Sequence, residues 1–419
     1  MNRRIYSWAL YDTATSAFAT VVIAGFFPIF FKQYWAADMA ATESTFLLGS
    51  ANSLSSLIVA VVAPFLGAIA DRGGTRKRLL YFFAVIGIAT TAALHFVARG
   101  DYASAATIYV VCTVTYNSSL LFYDSLIVNV ATEDRFDRVS ALGYALGYLG
   151  GGLLFAVLVA MVLLPQKFGF SDAAQVVSLS FPVAAVWWAI FSIPLLLFVH
   201  EIRPAVPVSA WRAITGGLSQ LHATFQDLRR LHVIVLFLFA YWCYIDGVGT
   251  VIRMAIDYGL ALGFKSSDLI TALLITQFVG FPSAIAFGRI GERFGPKTGI
   301  MIAIGVYCFI TAWGAFISAV YEFYILAIVV GLVQGGVQSL SRSLYARLIP
   351  PEKTAEFFGF YNMLGKFAAV IGPFLMGWVA HLTGSSRISI LAILALFIVG
   401  ATLLYFVDVG EGIALRRGL

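Results

Sequence analysis

Six charged residues lie inside long apolar stretches of this chain, where a charge is costly. They are Asp12, Asp124, Asp246, Arg253, Arg342 and Lys366. A charged side chain at membrane depth is expensive unless it is paired or hydrated, so such residues mark solute, ion or proton pathways by default. An acid in this setting can bind an amine, a cation or a proton, and an arginine can bind a carboxylate. These six residues are therefore the first candidates for a functional site.

The overall composition predicts that these apolar stretches lie in lipid. The chain has 419 residues, of which 60% are hydrophobic and only 11% charged, and its mean hydropathy is +0.90. A soluble domain of this size carries more charge on its surface. Because one spanning helix takes about 20 residues, about twelve helices with short connections use up the chain. The sequence therefore predicts an all-α membrane protein with twelve transmembrane helices.

The apolar segments set approximate bounds for these helices. They are 6–33, 44–70, 79–98, 103–129, 139–164, 176–199, 231–258, 267–288, 298–318, 321–347, 355–381 and 387–407. Lysine and arginine concentrate in the connections on the side of the N-terminus, which is the pattern of cytoplasmic loops. We therefore expect both termini in the cytoplasm. The same distribution accounts for the net charge of +6 without nucleic acid.

A polar stretch near the middle of the chain divides it into two parts. We expect a first six-helix bundle over residues 1–199, a cytoplasmic linker over 200–230 and a second bundle over 231–419. Within the linker, apolar residues recur at spacings of three and four, at Trp211, Ile214, Leu218, Leu221, Phe225 and Leu228. This pattern predicts an amphipathic helix on the inner leaflet, and the alternative is a docking site for a partner.

Two pairs of segments show that the halves are related. Residues 67–74 and 288–295 both place a glycine four residues before an acid–arginine pair, and residues 134–147 can be laid over 352–365. One offset near 220 residues serves both matches. We therefore expect two parallel six-helix repeats related by pseudo-symmetry.

The segment Gly67-Ala-Ile-Ala-Asp71-Arg72-Gly73-Gly74, followed by three basic residues at 76–78, resembles the loop signature of the major facilitator superfamily. The resemblance implies the fold of that superfamily, with helices one, four, seven and ten around a central cavity. It also implies an inner-gate role for the acid of this motif. We carry this role to Asp71 and Arg72, and by the repeat to Glu292 and Arg293.

Several further motifs resemble a narrower branch of that superfamily. They are Trp8-Ala-Leu-Tyr-Asp12 in helix one, Arg138-Val-Ser-Ala-Leu-Gly143 in helix five, Tyr244-Ile-Asp246-Gly247 in helix seven and Gln338-Ser-Leu-Ser-Arg342 in helix ten. The branch contains the fungal vacuolar amino-acid effluxers linked to autophagy and their bacterial relatives. It implies secondary transport, mainly export, of an amino acid or a similar zwitterion. Asp124 stands where we expect asparagine, which implies altered substrate or coupling. The short connections favour a bacterial inner-membrane protein, which we expect to be monomeric.

In the arrangement that this resemblance implies, five of the six charged residues lie on helices that line the cavity, the exception being Lys366. An offset of 218 carries Asp124 onto Arg342, so that acid and base would face each other from pseudo-symmetric positions. In one interpretation Arg342 holds a substrate carboxylate while Asp124 or Asp246 holds an amine or a proton. In the other, the pair is a permanent ion pair without a part in binding.

The remaining intramembrane charges have individual interpretations. Asp12 is a third candidate for proton coupling, or it makes a hydrogen bond at the inner gate. Two glycines beside Asp246 predict a local break of helix seven whose free carbonyls bind substrate or a cation. Arg253 lies nearer an outer gate, and Lys366 snorkels to the inner leaflet. Uncharged polar candidates for the cavity are Asn52, Asn117, Tyr123, Gln277, Gln334 and Gln338.

The sequence also limits the class of function. It contains no nucleotide-binding lysine loop, so we expect an ion or substrate gradient to drive transport. The scattered cysteines and histidines predict neither a metal nor another cofactor, and no nucleophile–base pair predicts an enzyme. Two alternatives stay open. One is transport of a small organic anion bound by Arg342 and Arg253, and the other is a lipid-handling or receptor protein on the same fold.

Overall fold

The computed structural model describes residues 2–201 and 231–417. Within these ranges the description leaves out some side chains. They are those of residues 41, 42, 45, 253, 256, 257, 260, 261, 266, 366, 368–370, 373, 386 and 417. The predicted amphipathic helix of the linker, and the side chains of Arg253 and Lys366, therefore lie outside the described residues.

The described residues form twelve long helices and contain no strand, which confirms the predicted all-α class. The helices are α1 (Arg3–Trp35), α2 (Ala41–Gly73), α3 (Arg76–Ala93), α4 (Tyr102–Ser125), α5 (Phe136–Leu163), α6 (Ala173–Phe198), α7 (His232–Ala261), α8 (Ser266–Phe294), α9 (Pro296–Gly314), α10 (Val320–Leu348), α11 (Thr354–Thr383) and α12 (Ser386–Tyr405). A short helix, α13 (Val409–Arg417), follows. Eleven of the twelve long helices are long and apolar enough, over their described residues, to cross a membrane. The twelfth is α11, where the described apolar stretch is shorter and runs over Phe374–Thr383.

One end of the helix bundle carries both ends of the described chain. This end includes residue 2, the connections after α2, α4, α8 and α10, and α13. We call it the terminal face. The contacts agree with this grouping, because Arg416 of α13 binds both Glu133, just before α5, and the carbonyl oxygen of Arg347, near the end of α10.

Two lysines make equivalent contacts in the two halves. Lys77 Nζ donates to the carbonyl oxygens of Leu196 (2.6 Å) and Val199 (2.7 Å), at the end of α6. Lys297 Nζ donates to those of Tyr405 (2.8 Å) and Val407 (2.8 Å), at the end of α12. A cation at a helix C-terminus binds carbonyls that have no partner within the helix. The two lysines are 220 positions apart, so the offset found in the sequence relates equivalent contacts.

Glycines allow the two halves to pack closely. The main contacts between the halves pair α2 with α11 and α5 with α8. At Gly67 of α2, a Cβ atom would lie 2.2 Å from the carbonyl oxygen of Ala355 at the start of α11. At Gly288 of α8, it would lie 2.6 Å from the Cβ of Ala141 on α5. Small residues at such crossings let helix backbones approach in a membrane, where apolar side chains give no advantage over lipid.

Candidate functional site

Arg342 of α10 is the centre of a buried polar cluster. Its side chain is among the most deeply buried in the chain, with 1% of the residue exposed. Nη1 donates to Oδ1 of Asp124 at 3.0 Å, and Nη2 donates to Oδ2 of Asp12 at 3.2 Å. Nε donates to Oγ of Ser140 at 2.8 Å, and Nη2 also donates to the carbonyl oxygen of Ser140 at 2.9 Å. The planar guanidinium fork suits several acceptors at once, and Asp124 and Arg342 are in direct contact.

The hydrogen-bond partners of Arg342 among the described residues come from the other half of the molecule. Asp12 lies on α1, Asp124 on α4 and Ser140 on α5. Asp12 and Asp124 are 7% and 9% exposed, so little water reaches them. Oδ2 of Asp12 also accepts a hydrogen bond of 2.7 Å from the hydroxyl of Tyr123. A single guanidinium therefore joins the halves through two carboxylates and one serine.

Three aromatic rings surround the same guanidinium. Its Cζ lies 4.8 Å from the ring centroid of Trp8, 5.4 Å from that of Tyr123 and 4.5 Å from that of Tyr144. A cation within about 6 Å of a ring face is attracted by the ring quadrupole. Sequence analysis singled out Tyr123 but not the other two rings. Helical spacing was an available signal for Trp8, because it precedes the candidate Asp12 by one turn.

Gly143 of α5 leaves the room that this cluster needs. A Cβ atom at this position would lie 2.3 Å from Oδ2 of Asp12, 3.0 Å from the hydroxyl of Tyr123 and 3.1 Å from Nη2 of Arg342. The glycine therefore allows α5 to pass directly beside the charged groups.

Asp71 makes a second connection between the halves, at the terminal face. Its carboxylate accepts hydrogen bonds from the backbone amides of Ala355 (3.1 Å) and Glu356 (2.8 Å), in the first turn of α11. It also accepts a 2.7 Å bond from Nε of Arg76. An acid at a helix N-terminus binds amides that lack a helical partner and complements the helix dipole. Its neighbour Arg72 is exposed.

The equivalent acid of the second half does not repeat this geometry. Glu292 and Arg293 are exposed at the end of α8. A cross-half ion pair is formed instead by Asp137 of α5, which is fully buried and accepts from Oγ of Ser343 (2.5 Å) and Nη2 of Arg347 (2.6 Å). Sequence analysis missed Asp137, because an acid in the first turn of a helix beside a loop is an ordinary surface residue.

Asp246 lies outside the Arg342 cluster. It is 1% exposed, and its Oδ2 accepts a 2.9 Å hydrogen bond from the backbone amide of Gly372 on α11, within the second half. Thr250 donates to its Oδ1 at 3.4 Å. The expected break of helix seven is not found, since α7 runs continuously from His232 to Ala261. Gly247 instead accommodates the ring of Phe397, which a Cβ atom would approach to 2.8 Å.

Three glutamines lie further from the terminal face, at or near the contact between the halves. Gln277 of α8 donates from Nε2 to Oγ1 of Thr20 on α1 at 2.9 Å. Gln338, one turn from Arg342, accepts a 3.4 Å bond from the hydroxyl of Tyr148 on α5. Gln334 is half-buried one turn further along α10.

The two asparagines bond mainly within the first half. Asn117 lies two turns before Asp124 on α4, is buried, and donates to the carbonyl oxygen of Thr113 at 2.7 Å. Asn52 of α2 is exposed and accepts a 2.9 Å bond from the hydroxyl of Tyr109. Asn117 bonds within its own helix and Asn52 bonds α2 to α4, so neither contact connects an asparagine to Arg342.

Comparison with known proteins identifies relatives over almost the whole chain. The family model described as "Vacuole effluxer Atg22 like" matches residues 1–135 and 128–415. The MFS-type transporter YxiO of Bacillus subtilis is 38% identical over 403 residues, which cover 96% of this chain and 94% of the relative. Autophagy-related protein 22 of Yarrowia lipolytica is 23% identical, with 86% of this chain and 75% of the relative covered.

Solved structures share the fold at low sequence identity. The human organic anion transporter MFSD10 superposes with a TM-score of 0.73 at 13% identity and covers 96% of this chain and 99% of its own. The proton:xylose symporter XylE superposes with a TM-score of 0.72 at 13% identity, over 97% and 95% of the two chains. At this identity the likeness is one of fold, and it confirms the major facilitator arrangement of the helices.

Proposed function

This chain belongs to the vacuole effluxer Atg22-like family of major facilitator transporters, and we propose that it moves an amino acid or a similar small zwitterion by alternating access. In this proposal residues 1–199 and 231–419 are the two halves that rock about a central site, joined by the linker 200–230. The terminal face is the cytoplasmic side of a bacterial inner membrane, the transporter is a monomer, and the direction of transport is export.

The contact of Arg342 with Asp12 and Asp124 is the observation that carries this proposal. The terminal face opens only if these groups separate, because they belong to different halves. Removal of one partner from a buried ion pair costs about 3–5 kcal/mol, since the other charge stays buried without compensation. A solute that replaces the lost partners on both sides therefore favours opening.

A zwitterion can make this replacement without leaving a charge unpaired. Its ammonium group can take the place of the guanidinium beside the carboxylates of Asp12 and Asp124, while its carboxylate binds Arg342. An organic anion pairs only with Arg342, so it would leave both carboxylates without a cationic partner. The charge balance therefore favours an amino acid over an anion.

We assign proton coupling to Asp124 and not to Asp246. Separation of the halves removes Arg342 from both acids, but Asp12 keeps its hydrogen bond from Tyr123, which belongs to the same half. Asp124 loses a charged donor at that step, and a proton can replace it. Asp246 bonds within the second half, so that rocking of the halves leaves its contact with Gly372 in place.

Transport by purified protein in liposomes tests this proposal. We expect exchange of labelled amino acids across the membrane, and accumulation when a pH gradient is imposed. Asp124→Asn should keep exchange but lose accumulation, whereas the matched control Asp246→Asn should keep both. Arg342→Gln should lose amino-acid transport in both assays. Exchange of organic anions alone, or loss of exchange in Asp124→Asn, would refute the assignment.

A further inference from the structure

Among the described residues, the hydrogen-bond acceptors and aromatic rings found around the Arg342 guanidinium belong to the first half of the molecule. Trp8 and Asp12 lie on α1, Tyr123 and Asp124 on α4, and Tyr144 on α5. We call these five residues the cation cage. Arg342 is the cation that the second half inserts into it.

The cage is held together by contacts that do not involve Arg342. The indole Nε1 of Trp8 donates to the carbonyl oxygen of Tyr123 at 3.0 Å, and the two rings stack with centroids 4.5 Å apart. The hydroxyl of Tyr123 donates to Asp12 at 2.7 Å. Helix α5, which carries Tyr144, packs along α1. Separation of the halves as rigid bodies therefore leaves the cage assembled after Arg342 has gone.

The chemistry of the cage is that of an organic-cation site. Two carboxylates supply charge and hydrogen-bond acceptors, and three aromatic faces attract a cation through their quadrupoles. Hard metal ions prefer sites with six or more oxygen ligands, which ring faces do not provide. A guanidinium already fills the cage with hydrogen bonds of 3.0 Å and 3.2 Å to the two acids, so that a planar or tetrahedral nitrogen cation of similar size fits.

We propose that the cation cage binds the alkylammonium or guanidinium group of a ligand when the terminal face is open, and that Arg342 occupies the same cage when it is closed. This inference rests on the proposed function in one respect, because it identifies the group as the cationic end of the transported zwitterion. A ligand cation and Arg342 then compete for one cage. By linkage, a ligand that binds the open state shifts the molecule toward it.

A vacated cage allows a direct binding test. In Arg342→Ala, we expect ethylguanidinium chloride at low millimolar concentration to raise the melting temperature in a saturable way, since a ligand that binds only the folded protein stabilises it. N-ethylurea, a neutral molecule of nearly the same shape, should have no such effect. The unsubstituted protein should respond at least tenfold more weakly, because its own guanidinium occupies the cage.

Second substitutions locate the response within the cage. Adding Tyr144→Leu to Arg342→Ala should weaken the apparent affinity for ethylguanidinium about tenfold, and adding Asp12→Asn should abolish saturable binding. The matched control is Tyr81→Leu, a half-buried tyrosine of α3 whose hydroxyl bonds the carbonyl oxygen of Ser192. It should leave the affinity unchanged.

An equal response to N-ethylurea, or a response that survives both Tyr144→Leu and Asp12→Asn, would overturn the inference. If Arg342→Ala does not fold, Arg342→Gln removes the positive charge with less loss of volume. The responses to ethylguanidinium and N-ethylurea are then compared in that variant. The probe carries no carboxylate and the assay measures no transport. Failure of amino-acid transport and failure of the cation cage are therefore separate results.

Discussion

Replacement of Gly67 by alanine should open the terminal face. A Cβ atom at Gly67 would lie 2.2 Å from the carbonyl oxygen and 2.6 Å from the carbonyl carbon of Ala355, and 2.7 Å from the Cα of Glu356. These are all backbone atoms, so no side-chain rotation relieves the clash. Ordinary carbon contacts begin at about 3.5 Å, and α2 and α11 must therefore move apart by roughly 1 Å.

The clash destabilises the closed terminal face but not the open one, so the energy of the clash sets the shift between the two states. Overpacking at a close contact costs about 1–3 kcal/mol. The cost applies only while α2 and the start of α11 are together, and it also weakens the bonds from Ala355 and Glu356 to Asp71. We therefore expect the ratio of closed to open molecules at the terminal face to fall by roughly 5–150-fold.

Distances between spin labels across the terminal face measure this ratio. Labels are placed at Arg78 on α3 and Glu352 before α11, which are exposed positions in different halves. The three native cysteines are replaced by serine beforehand. Gly49→Ala is the matched control, because it lies on the same helix and a Cβ atom there meets nothing within 4 Å.

We expect Gly67→Ala to shift the label distances toward the longer, open distribution, while Gly49→Ala matches the parent protein. If the two alanine variants give the same distribution, the contact of α2 with α11 does not control the terminal face. Gly359→Ala provides an independent check from the other side of this contact, since its Cβ would lie 2.7 Å from the carbonyl oxygen of Ala63.

Three further substitutions test the other contacts. Arg347→Gln should lower the free energy of unfolding by about 3–5 kcal/mol in a thermal melt, because the buried carboxylate of Asp137 loses its cationic partner. Adding Asp137→Asn should recover most of the loss, and a double variant whose losses simply add would contradict the pairing. Arg416→Gln should raise the open fraction in the spin-label assay, because it removes the bond between α13 and Glu133 of the first half, and an unchanged distribution would show that this bond does not hold the terminal face. Asp246→Ala should lower the free energy of unfolding by about 1–3 kcal/mol, because the amide of Gly372 loses its acceptor, and an unchanged melting temperature would show that this contact contributes no stability.

Much of the architecture could be predicted because it depends on local properties. Hydropathy and length identify a spanning helix without knowledge of its neighbours, and the structure confirms the all-α fold. The cost of a charge in lipid is also a property of the single residue, so Asp12, Asp124 and Arg342 stood out at once. The offset between the repeats placed Asp124 opposite Arg342, because pseudo-symmetric positions meet at the axis between the halves.

Other parts of the site depended on how each helix is rotated and how closely it approaches the next. A spanning helix is apolar on its lipid face and on its packed face alike, so its sequence pattern gives little information on which residues point inward. Tyr144 looks like any aromatic residue of such a helix until its distance to the guanidinium is known. Asp137 likewise gains importance only because α10 brings Arg347 against it.

The sequence by itself therefore determined the family, the number and type of the helices, the repeat and the presence of costly buried charges. The tertiary structure decided which charges meet, that Asp246 bonds to Gly372 of its own half, and that the two acids and three rings around Arg342 come from the other half. The physical reason is the range of the interactions. Transfer from water to lipid acts on one residue at a time, whereas a hydrogen bond forms only within about 3 Å and depends on the packing of several helices together.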